Sequence, residues 1–225
     1  MTTKDGFLLI DKDKNISSHS VIKPIKKLLN TKVGHTGTLD PMATGMIVCA
    51  VGQARKFIQF AQIKAKKYYK ATVQLGIKTD TADITGNEIK KCNVRPLNLK
   101  TIESIIQKKF IGIIEQTPPA YSALKYKGKP YYTYARKGKD IPIAKRTIHI
   151  ESICHIKYDD KNQQICFDAL VGSGTYIRTL AEDIAGELGT VGCLKELRRI
   201  YVEPWKDTPC HSMDELKTTK DIHSL

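Results

Sequence analysis

The sequence contains no apolar run that approaches the roughly 20 residues a helix needs to span a bilayer. Its first residues, MTTKDGFLLIDKDK, also lack the apolar stretch and the cleavage site of a secretory signal. We therefore expect no membrane association and a cytoplasmic location. The cysteines form no C-x-x-C pair and have no regular spacing, which favours reduced core thiols over disulfides or a zinc site. They are Cys49, Cys92, Cys154, Cys166, Cys193 and Cys210.

Several signatures of nucleotide and metal chemistry are also missing. No G-x-x-x-x-G-K-[ST] motif occurs and no G-x-G-x-x-G follows a strand pattern, which argues against a Walker-type nucleotidase and a Rossmann dehydrogenase. H-E-x-x-H and G-x-S-x-G are absent as well. The segment DTADITG (residues 80–86) has two aspartates near a glycine but not the register of a calcium loop. It predicts a turn.

Acidic residues are scarce relative to basic ones. The chain has 37 Lys and Arg against 23 Asp and Glu, a formal net charge of +14. This excess exceeds what solubility needs and indicates a polyanionic partner, with nucleic acid favoured over an acidic membrane surface. A generally basic proteome is the alternative that composition alone leaves open.

Repeats, low-complexity segments and flexible linkers are absent too, so we expect one continuous domain over residues 1–225. We expect the helix over 54–63 to bury Phe57, Ile58 and Ala61. Strands outnumber helices and several form sequential hairpins, which predicts an α+β fold with a mixed, mostly antiparallel sheet flanked by helices. The predicted strands are 7–10, 46–51, 68–76, 146–158, 164–171 and 191–203. One helix is predicted after a cap at Ser17 or Ser18, and others at 54–63, at 98–110 and from Ser212. The segment 172–189 is predicted to pass from a glycine-rich turn into a further helix.

The segment GHTGTLDPMATG (residues 34–45) surrounds a single carboxylate, Asp40, with three glycines and a proline. Glycine permits unusual torsions and close backbone approach, and Pro41 stiffens the chain after the aspartate. Such a carboxylate can act as a nucleophile or a base, or it can close the loop on itself as an Asx turn. His35 is a candidate second polar group, although a lone histidine is more often structural.

The segment AYSALKYKGKPYYTYARKGK (residues 120–139) interleaves five tyrosines with six basic residues. Aromatic faces for stacking and cations for phosphates are the combination found on RNA-binding surfaces. A solvated basic helix with inward-facing tyrosines is the alternative. Further along, GSGTYIRT (172–179) carries Tyr176, which can stack on a planar group, and Arg178, which can pair with a buried carboxylate.

These segments resemble the TruB-type tRNA pseudouridine synthases. GHTGTLDPMATGMI, KKYYKATVQLGIKTDTADITG, PPAYSALKYKGKPYYTYARKG, GSGTYIRTLAEDIAGELG and LRRI occur in the order and at about the spacing of that family. The resemblance implies a pseudouridine synthase fold with a core over about 6–205 and an inserted RNA-gripping loop at about 120–139. It also implies a short C-terminal extension, 206–225, without the PUA-type RNA-binding domain of many bacterial members, and we expect a monomer without a protein partner.

The resemblance also assigns roles to residues. Asp40 matches the catalytic aspartate and Arg178 the arginine that pairs with it. The substrate-binding positions are His35 beside the flipped nucleotide, Tyr69 stacked on the target base, Tyr176 on the substrate and Leu197 lining the uracil pocket. The expected RNA contacts are Lys67, Lys125, Lys127, Lys129, Arg136, Lys137, Arg198 and Arg199. One motif departs from the family: the usual D-K-P-x-G-x-[ST]-S reads DKDKNISS at residues 11–18, which puts the local turn in question.

The implied reaction converts the uridine at position 55 in the T-loop of tRNA to pseudouridine. It breaks the glycosidic N1–C1′ bond, rotates the uracil and joins its C5 to C1′ of the ribose. Neither redox chemistry nor hydrolysis occurs, so we expect no cofactor and no metal. The sequence leaves open whether Asp40 attacks the ribose, deprotonates it or adds to the uracil ring. Two other hypotheses stay open: a non-catalytic RNA-binding protein, and a nucleobase-modifying enzyme with another RNA target.

Overall fold

The computed structural model of the chain describes residues 5–63 and 65–218. The strands are β1 (Gly6–Lys12), β2 (Val33–His35), β3 (Thr44–Val51), β4 (Lys67–Leu75), β5 (Ile77–Thr79), β6 (Glu88–Lys91), β7 (Gly112–Gln116), β8 (Lys125–Tyr126), β9 (Lys129–Pro130), β10 (Arg146–Asp159), β11 (Gln164–Val171), β12 (Gly192–Val202) and β13 (His211–Ser212). The α-helices are α1 (Ser18–Leu29), α2 (Ile58–Gln62), α3 (Leu99–Lys109), α4 (Tyr131–Ala135), α5 (Ile177–Glu187) and α6 (Met213–Thr218). The α+β prediction is confirmed.

The described residues divide into two compact units. The first contains the chain up to Lys70 together with the residues from Leu197 onward, and the second runs from Ala71 to Glu196. The unit boundaries fall within β4 and β12. The prediction of one continuous domain, with its core, inserted loop and C-terminal extension, stays a prediction.

The first unit is built on strands in the order β13-β1-β3-β12-β4, with β2 added on β3. β1 and β3 pair antiparallel over their whole length, from Gly6 opposite Val51 to Lys12 opposite Gly45. β12 and β13 instead run parallel to their partners β3 and β1. The sheet is therefore mixed, as predicted.

Helix α1 covers one face of this sheet. The predicted cap is confirmed, because the Ser17 side chain accepts a hydrogen bond from the Ser20 backbone N–H. Its apolar stripe places Val21 and Ile25 against Ile10 and Ile47 of the strands, and all four are fully buried. Burial of this stripe fixes the helix despite Pro24, which lies inside it beyond the first turn.

The helix predicted over 54–63 is wrong in detail. The chain forms a 3-10 helix, Gly52–Phe57, followed by the short α2. The change from three to 3.6 residues per turn rotates the apolar positions off a single face. Ala54 is buried, whereas 57% of the Phe57 side chain is exposed.

The second unit orders its strands β12-β4-β11-β10-β7. The predicted hairpin of β10 and β11 is confirmed, with register shifts between Ile150 and Ser152 and between Cys154 and Lys157. Helix α3 is capped by Asn98, and Ile102 and Ile106 are fully buried. The segment 80–86 forms the predicted turn between β5 and β6, closed by the Asp83 carboxylate.

All six cysteines are free thiols, and only Cys49 and Cys193 are buried, so the prediction of core thiols holds for these two. Helix α5 begins at Ile177, after the glycine-rich turn that was predicted at the start of 172–189. None of the helices in the described part of the chain is long and apolar enough to cross a membrane.

Candidate active site

Asp40 lies half-buried on the loop that joins β2 to β3. Ser18, at the start of α1, holds the preceding residue from both sides: its hydroxyl donates to the Leu39 carbonyl at 2.8 Å and accepts from the Leu39 N–H at 2.9 Å. The Ala43 N–H donates to the Asp40 carbonyl at 3.1 Å and closes a turn over Pro41. The backbone on both sides of the carboxylate is therefore fixed by hydrogen bonds.

Asn15 explains the departure from the family motif. It stands where that motif usually has glycine, and its backbone is left-handed with a φ of +66°. Asparagine enters this region more readily than most residues. The Asn15 N–H donates to the Pro41 carbonyl at 2.8 Å. The turn thus forms without the glycine and supports the Asp40 loop.

Lys12 is a buried cation beside the loop that sequence reasoning missed. It is fully buried at the end of β1, and its Nζ donates to the carbonyls of Asp13, Ile16 and Pro41 at 3.0, 2.9 and 3.1 Å. Burial lowers the pKa of Lys12 to about 8, and the negative charge of Asp40 opposes that shift. A lysine that ends an apolar strand directly before the polar turn DKNISS (residues 13–18) was the available signal.

Arg199 joins both ends of the same loop. Only 2% of this residue is exposed, and its guanidinium donates through Nε to the Met46 carbonyl at 2.7 Å and through Nη2 to the Gly37 carbonyl at 3.1 Å. Its expected contact with RNA stays a prediction, and the described hydrogen bonds make it a support of the loop. Arg198, its neighbour, is exposed and forms a two-pronged ion pair with Asp11, at 3.0 and 2.6 Å.

Burial and the charge of Arg199 also lower the pKa values of Lys67 and His35. Desolvation, and then the Arg199 charge, lower the pKa of Lys67 to about 8. The pKa of His35 is lowered by desolvation and then by Arg199 and His19, so the imidazole is neutral at pH 7. Its Nδ1 is buried and has no hydrogen-bond partner among the described residues.

Tyr69 and Leu197 are both buried, 6% and 7% exposed. Alternation along each strand puts Tyr69 on the same face of β4 as Lys67, and Leu197 on the same face of β12 as Arg199. Because the Arg199 side chain reaches the Gly37 carbonyl, the face of β12 that carries Leu197 is the face toward the Asp40 loop.

Tyr68 points to the other side of β4. Its ring stacks on Tyr201, with centroids 5.2 Å apart and planes 4° apart. Tyr68 therefore lies on the opposite face from Tyr69, whose role in substrate binding stays a prediction.

Tyr176 and Arg178 lie in the second unit, at the start of α5. Arg178 is buried and donates to the carbonyls of Thr81 and Tyr121, at 2.7 and 2.8 Å. The side-chain amide of Gln116 holds the backbone of Tyr176 through its N–H and its carbonyl. The predicted pairing of Arg178 with the catalytic carboxylate stays a prediction, as does the substrate contact of Tyr176.

The segment 120–139 is not a single basic helix, and its contact with RNA stays a prediction. It folds as a small hairpin of β8 and β9 followed by the one-turn helix α4. Tyr126 and Tyr134 are half-buried and pack edge to face at 5.8 Å. The basic side chains that were expected to contact RNA are exposed. They are Lys125, Lys127, Lys129, Arg136 and Lys137.

Stability should depend on pH through Lys12. Its pKa falls from 10.5 to about 8 on folding, so the unfolded chain binds the proton more tightly in this range and the free energy of unfolding rises with pH across it. We expect the wild type to gain on the order of 2 kcal/mol relative to Lys12→Met between about pH 7.5 and about pH 10. Urea unfolding at both pH values under reducing conditions measures the difference.

Lys14→Met is the matched control for this experiment, because Lys14 is an exposed lysine two residues away. It should follow the wild-type pH dependence. Parallel curves for all three proteins would show that Lys12 keeps an ordinary pKa in the folded state.

Solved structures share this fold. The chain resembles one in the crystal structure of a Cbf5–Nop10–Gar1 complex, with a TM-score of 0.70 and 28% identity over 93% of this chain and 53% of that one. It also resembles one in the structure of an H/ACA RNP bound to a substrate RNA containing 2′-deoxyuridine, with a TM-score of 0.67, 25% identity, and 93% and 51% coverage. The chain thus spans about half the length of these structural relatives.

Sequence comparisons define the class and then the family. The model of the N-terminal domain of the TruB family of pseudouridylate synthases matches residues 26–177, and that of the C-terminal domain of tRNA pseudouridylate synthase B matches residues 178–223. The fold is therefore that of a pseudouridine synthase. Within that class, the chain belongs to the TruB family.

Curated relatives agree with this assignment. The tRNA pseudouridine synthase B of Hydrogenovibrio crunogenus is 40% identical over 97% of this chain and 71% of its own length. That of Bordetella avium is 41% identical, with 96% and 88% coverage. That of Francisella tularensis is 41% identical, with 95% and 70% coverage.

Proposed function

We propose that the protein is a tRNA pseudouridine synthase that isomerises the uridine at position 55 in the T-loop, with Asp40 as the catalytic carboxylate. The observation that carries this proposal is the support of Asp40: a loop fixed by Ser18 and Arg199, with the buried Lys12 cation beside it. Membership of the TruB family and the names of the curated relatives supply the substrate and the reaction.

The reaction requires one ionised carboxylate that acts on the ribose or on the uracil ring. Lys12 and Asp40 attract each other, as the effect of Asp40 on the pKa of Lys12 records, and this attraction favours the charged form of both groups. Three carbonyls hold the Lys12 ammonium in place beside the Asp40 loop. A positive charge is thereby fixed beside the carboxylate that the reaction requires.

The target base has to leave the folded T-loop before Asp40 can reach it. We propose that the flipped uracil lies against Tyr69 and Leu197, whose buried positions suit a planar, weakly polar base. The neutral His35, with its buried Nδ1 unpaired among the described residues, is suited to a hydrogen bond with the flipped nucleotide. The roles of Tyr176 and Arg178 follow from the resemblance.

We further propose that the protein acts as a cytoplasmic monomer on tRNA without a cofactor. One experiment separates this function from its alternatives: incubation with an unmodified tRNA transcript, followed by carbodiimide treatment and primer extension. A stop that reports position 55 supports the proposal. A stop elsewhere indicates a different RNA target, and retained RNA binding without product indicates a non-catalytic RNA-binding protein.

The hairpin of β8 and β9 is expected to contribute to RNA affinity more than to chemistry. Its exposed lysines can contact phosphates but carry no group that the isomerisation needs. The triple variant Lys125→Ala/Lys127→Ala/Lys129→Ala should raise KM by about tenfold and lower kcat by less than that. Steady-state kinetics on a tRNA transcript measure both constants.

Three exposed lysines of the same unit, Lys100, Lys108 and Lys161, provide a control of equal charge. Their triple alanine variant should change KM less. A loss confined to kcat in the hairpin variant would assign the segment to catalysis instead.

A further inference from the structure

The first unit has a basic pocket of about 540 Å³ beside the strand that leads into the Asp40 loop. Its lining includes the cationic side chains of Lys32, Arg55 and Lys56, together with polar groups from Asn30, Thr31 and Gln53. No ion pair of these three cations occurs among the described residues.

The surrounding sequence leaves this positive charge with little compensation. Residues 41–79 contain seven lysines and arginines and no aspartate or glutamate. One carboxylate approaches the pocket lining, that of Asp5, which accepts a hydrogen bond from the Gln53 N–H at 2.8 Å. Three cations against one carboxylate favour an anionic ligand.

An exposed aromatic pair follows the pocket directly in the chain. Phe57 and Phe60 are 57% and 62% exposed, and their ring centroids are 6.4 Å apart. Ile63, three residues after Phe60, is also exposed, at 61%. Large apolar side chains that stay exposed together mark a binding surface more often than an ordinary solvated face.

We propose that this pocket and aromatic pair form a second RNA-binding site, in which Lys32 and Lys56 contact backbone phosphates and Phe57 and Phe60 stack on unpaired bases. Cations for phosphates beside aromatic faces for bases are what a single-stranded RNA segment requires. A membrane surface fits less well, because α2 has only five residues and cannot lie as an amphipathic helix in a bilayer interface.

The site is also connected to the catalytic loop. A Cβ added at Gly34 would lie 2.8 Å from Ile58 Cδ1 and 3.9 Å from the Arg55 side chain, so the pocket wall packs directly on β2. β2 carries His35 and leads to Asp40. RNA bound in the pocket would therefore lie close to the strand that positions the reacting nucleotide. The inference rests on the proposed function for the identity of the RNA, a tRNA.

Two double variants separate the two kinds of contact. Lys32→Ala/Lys56→Ala removes two of the three pocket cations and leaves Arg55, which packs near Gly34, in place. It should weaken binding of a tRNA transcript by about tenfold at about 100 mM salt and lower the log–log salt slope by about one to two. Phe57→Ala/Phe60→Ala should weaken binding by about fivefold or more and leave the slope unchanged.

Matched controls are available on other elements. Lys100→Ala/Lys108→Ala removes two exposed lysines of α3, and Ile89→Ala/Ile113→Ala removes two exposed apolar side chains of β6 and β7. Fluorescence anisotropy across a salt series gives the Kd and slope of each protein, and circular dichroism melts confirm that all are folded. The affinity loss in both test variants should exceed that of their controls.

Three outcomes would overturn the inference. The first is a Kd and a slope equal to those of the controls. The second is unchanged RNA binding with lost binding to phosphatidylserine vesicles, which would assign the surface to a membrane. The third is a melting temperature that inorganic phosphate raises, combined with tRNA binding that does not depend on Lys32 and Lys56. This result would indicate a site for small anions and not for RNA. A wild type that binds tRNA but forms no pseudouridine contradicts the proposed function, and the binding comparison remains valid.

Discussion

Replacement of Asp40 by asparagine is expected to abolish pseudouridine formation and to leave tRNA binding within about twofold of the wild type. Asparagine has almost the same shape, so the hydrogen bonds of Ser18 to Leu39 should persist. The amide cannot act as a nucleophile or a base at neutral pH. Removal of a group that carries a reaction costs at least about 10⁴-fold in kcat.

Single-turnover assays with saturating enzyme measure this loss without interference from product release. Asp13→Asn is the matched control, because Asp13 is the second carboxylate whose charge acts on Lys12, and it is exposed outside the loop. The control should keep activity within a few-fold of the wild type. Near-normal turnover by Asp40→Asn would refute the assignment. Equal losses of activity in both variants would show that the loss comes from a changed charge state of Lys12 and not from the missing catalytic carboxylate.

Much of the fold could be predicted because the local sequence patterns match the side chains that the structure buries. The apolar run at 7–10, the cap at Ser17 and the hairpin of β10 and β11 each follow from alternation, capping or turn chemistry within a few residues. Short strands such as β2 and β7 were not predicted. Their pairing depends on neighbours that are distant in the sequence, and three to five residues carry too little periodicity to show it.

The candidate site was predictable only in part. Local chemistry placed Asp40 on a tight loop, and the family resemblance supplied its role. The supports of that loop were not visible, because Arg199 reaches Gly37 across 162 residues and Met46 across 153. From the sequence, Arg199 was therefore predicted only as an RNA contact, like Arg198. The predicted burial of Phe57 was wrong for a different reason. The chain changes from a 3-10 helix to an α-helix at this point, which turns the side chain toward solvent.

Gly45→Ala is expected to be the most destabilising small substitution in the Asp40 loop. The backbone of Gly45 has a φ of +102°, and an added Cβ would lie 2.1 Å from the Arg199 carbonyl oxygen. That oxygen belongs to the parallel pairing of β3 with β12, in which Gly45 is opposite Arg199. The clash is with backbone, so it can be relieved only by separating the two strands. We expect a loss of at least about 4 kcal/mol in the free energy of unfolding.

Gly112→Ala separates the clash from the torsional strain. Gly112 has a comparable φ of +95°, but an added Cβ would meet nothing within 4 Å. It should cost only about 1 kcal/mol, the strain of a non-glycine residue with positive φ. Urea unfolding followed by circular dichroism gives both values, and equal losses would show that contact with Arg199 adds nothing.

The consequence of Gly45→Ala for activity follows from the same geometry. Separation of β3 from β12 displaces Arg199, whose guanidinium holds Gly37 at one end of the loop and Met46 at the other. Whatever fraction of the variant stays folded should therefore turn over tRNA more slowly, although Asp40 itself is unchanged. Gly112→Ala, which leaves this clamp intact, should keep its specific activity. A Gly45→Ala protein with normal kcat would mean that Asp40 is positioned without Arg199.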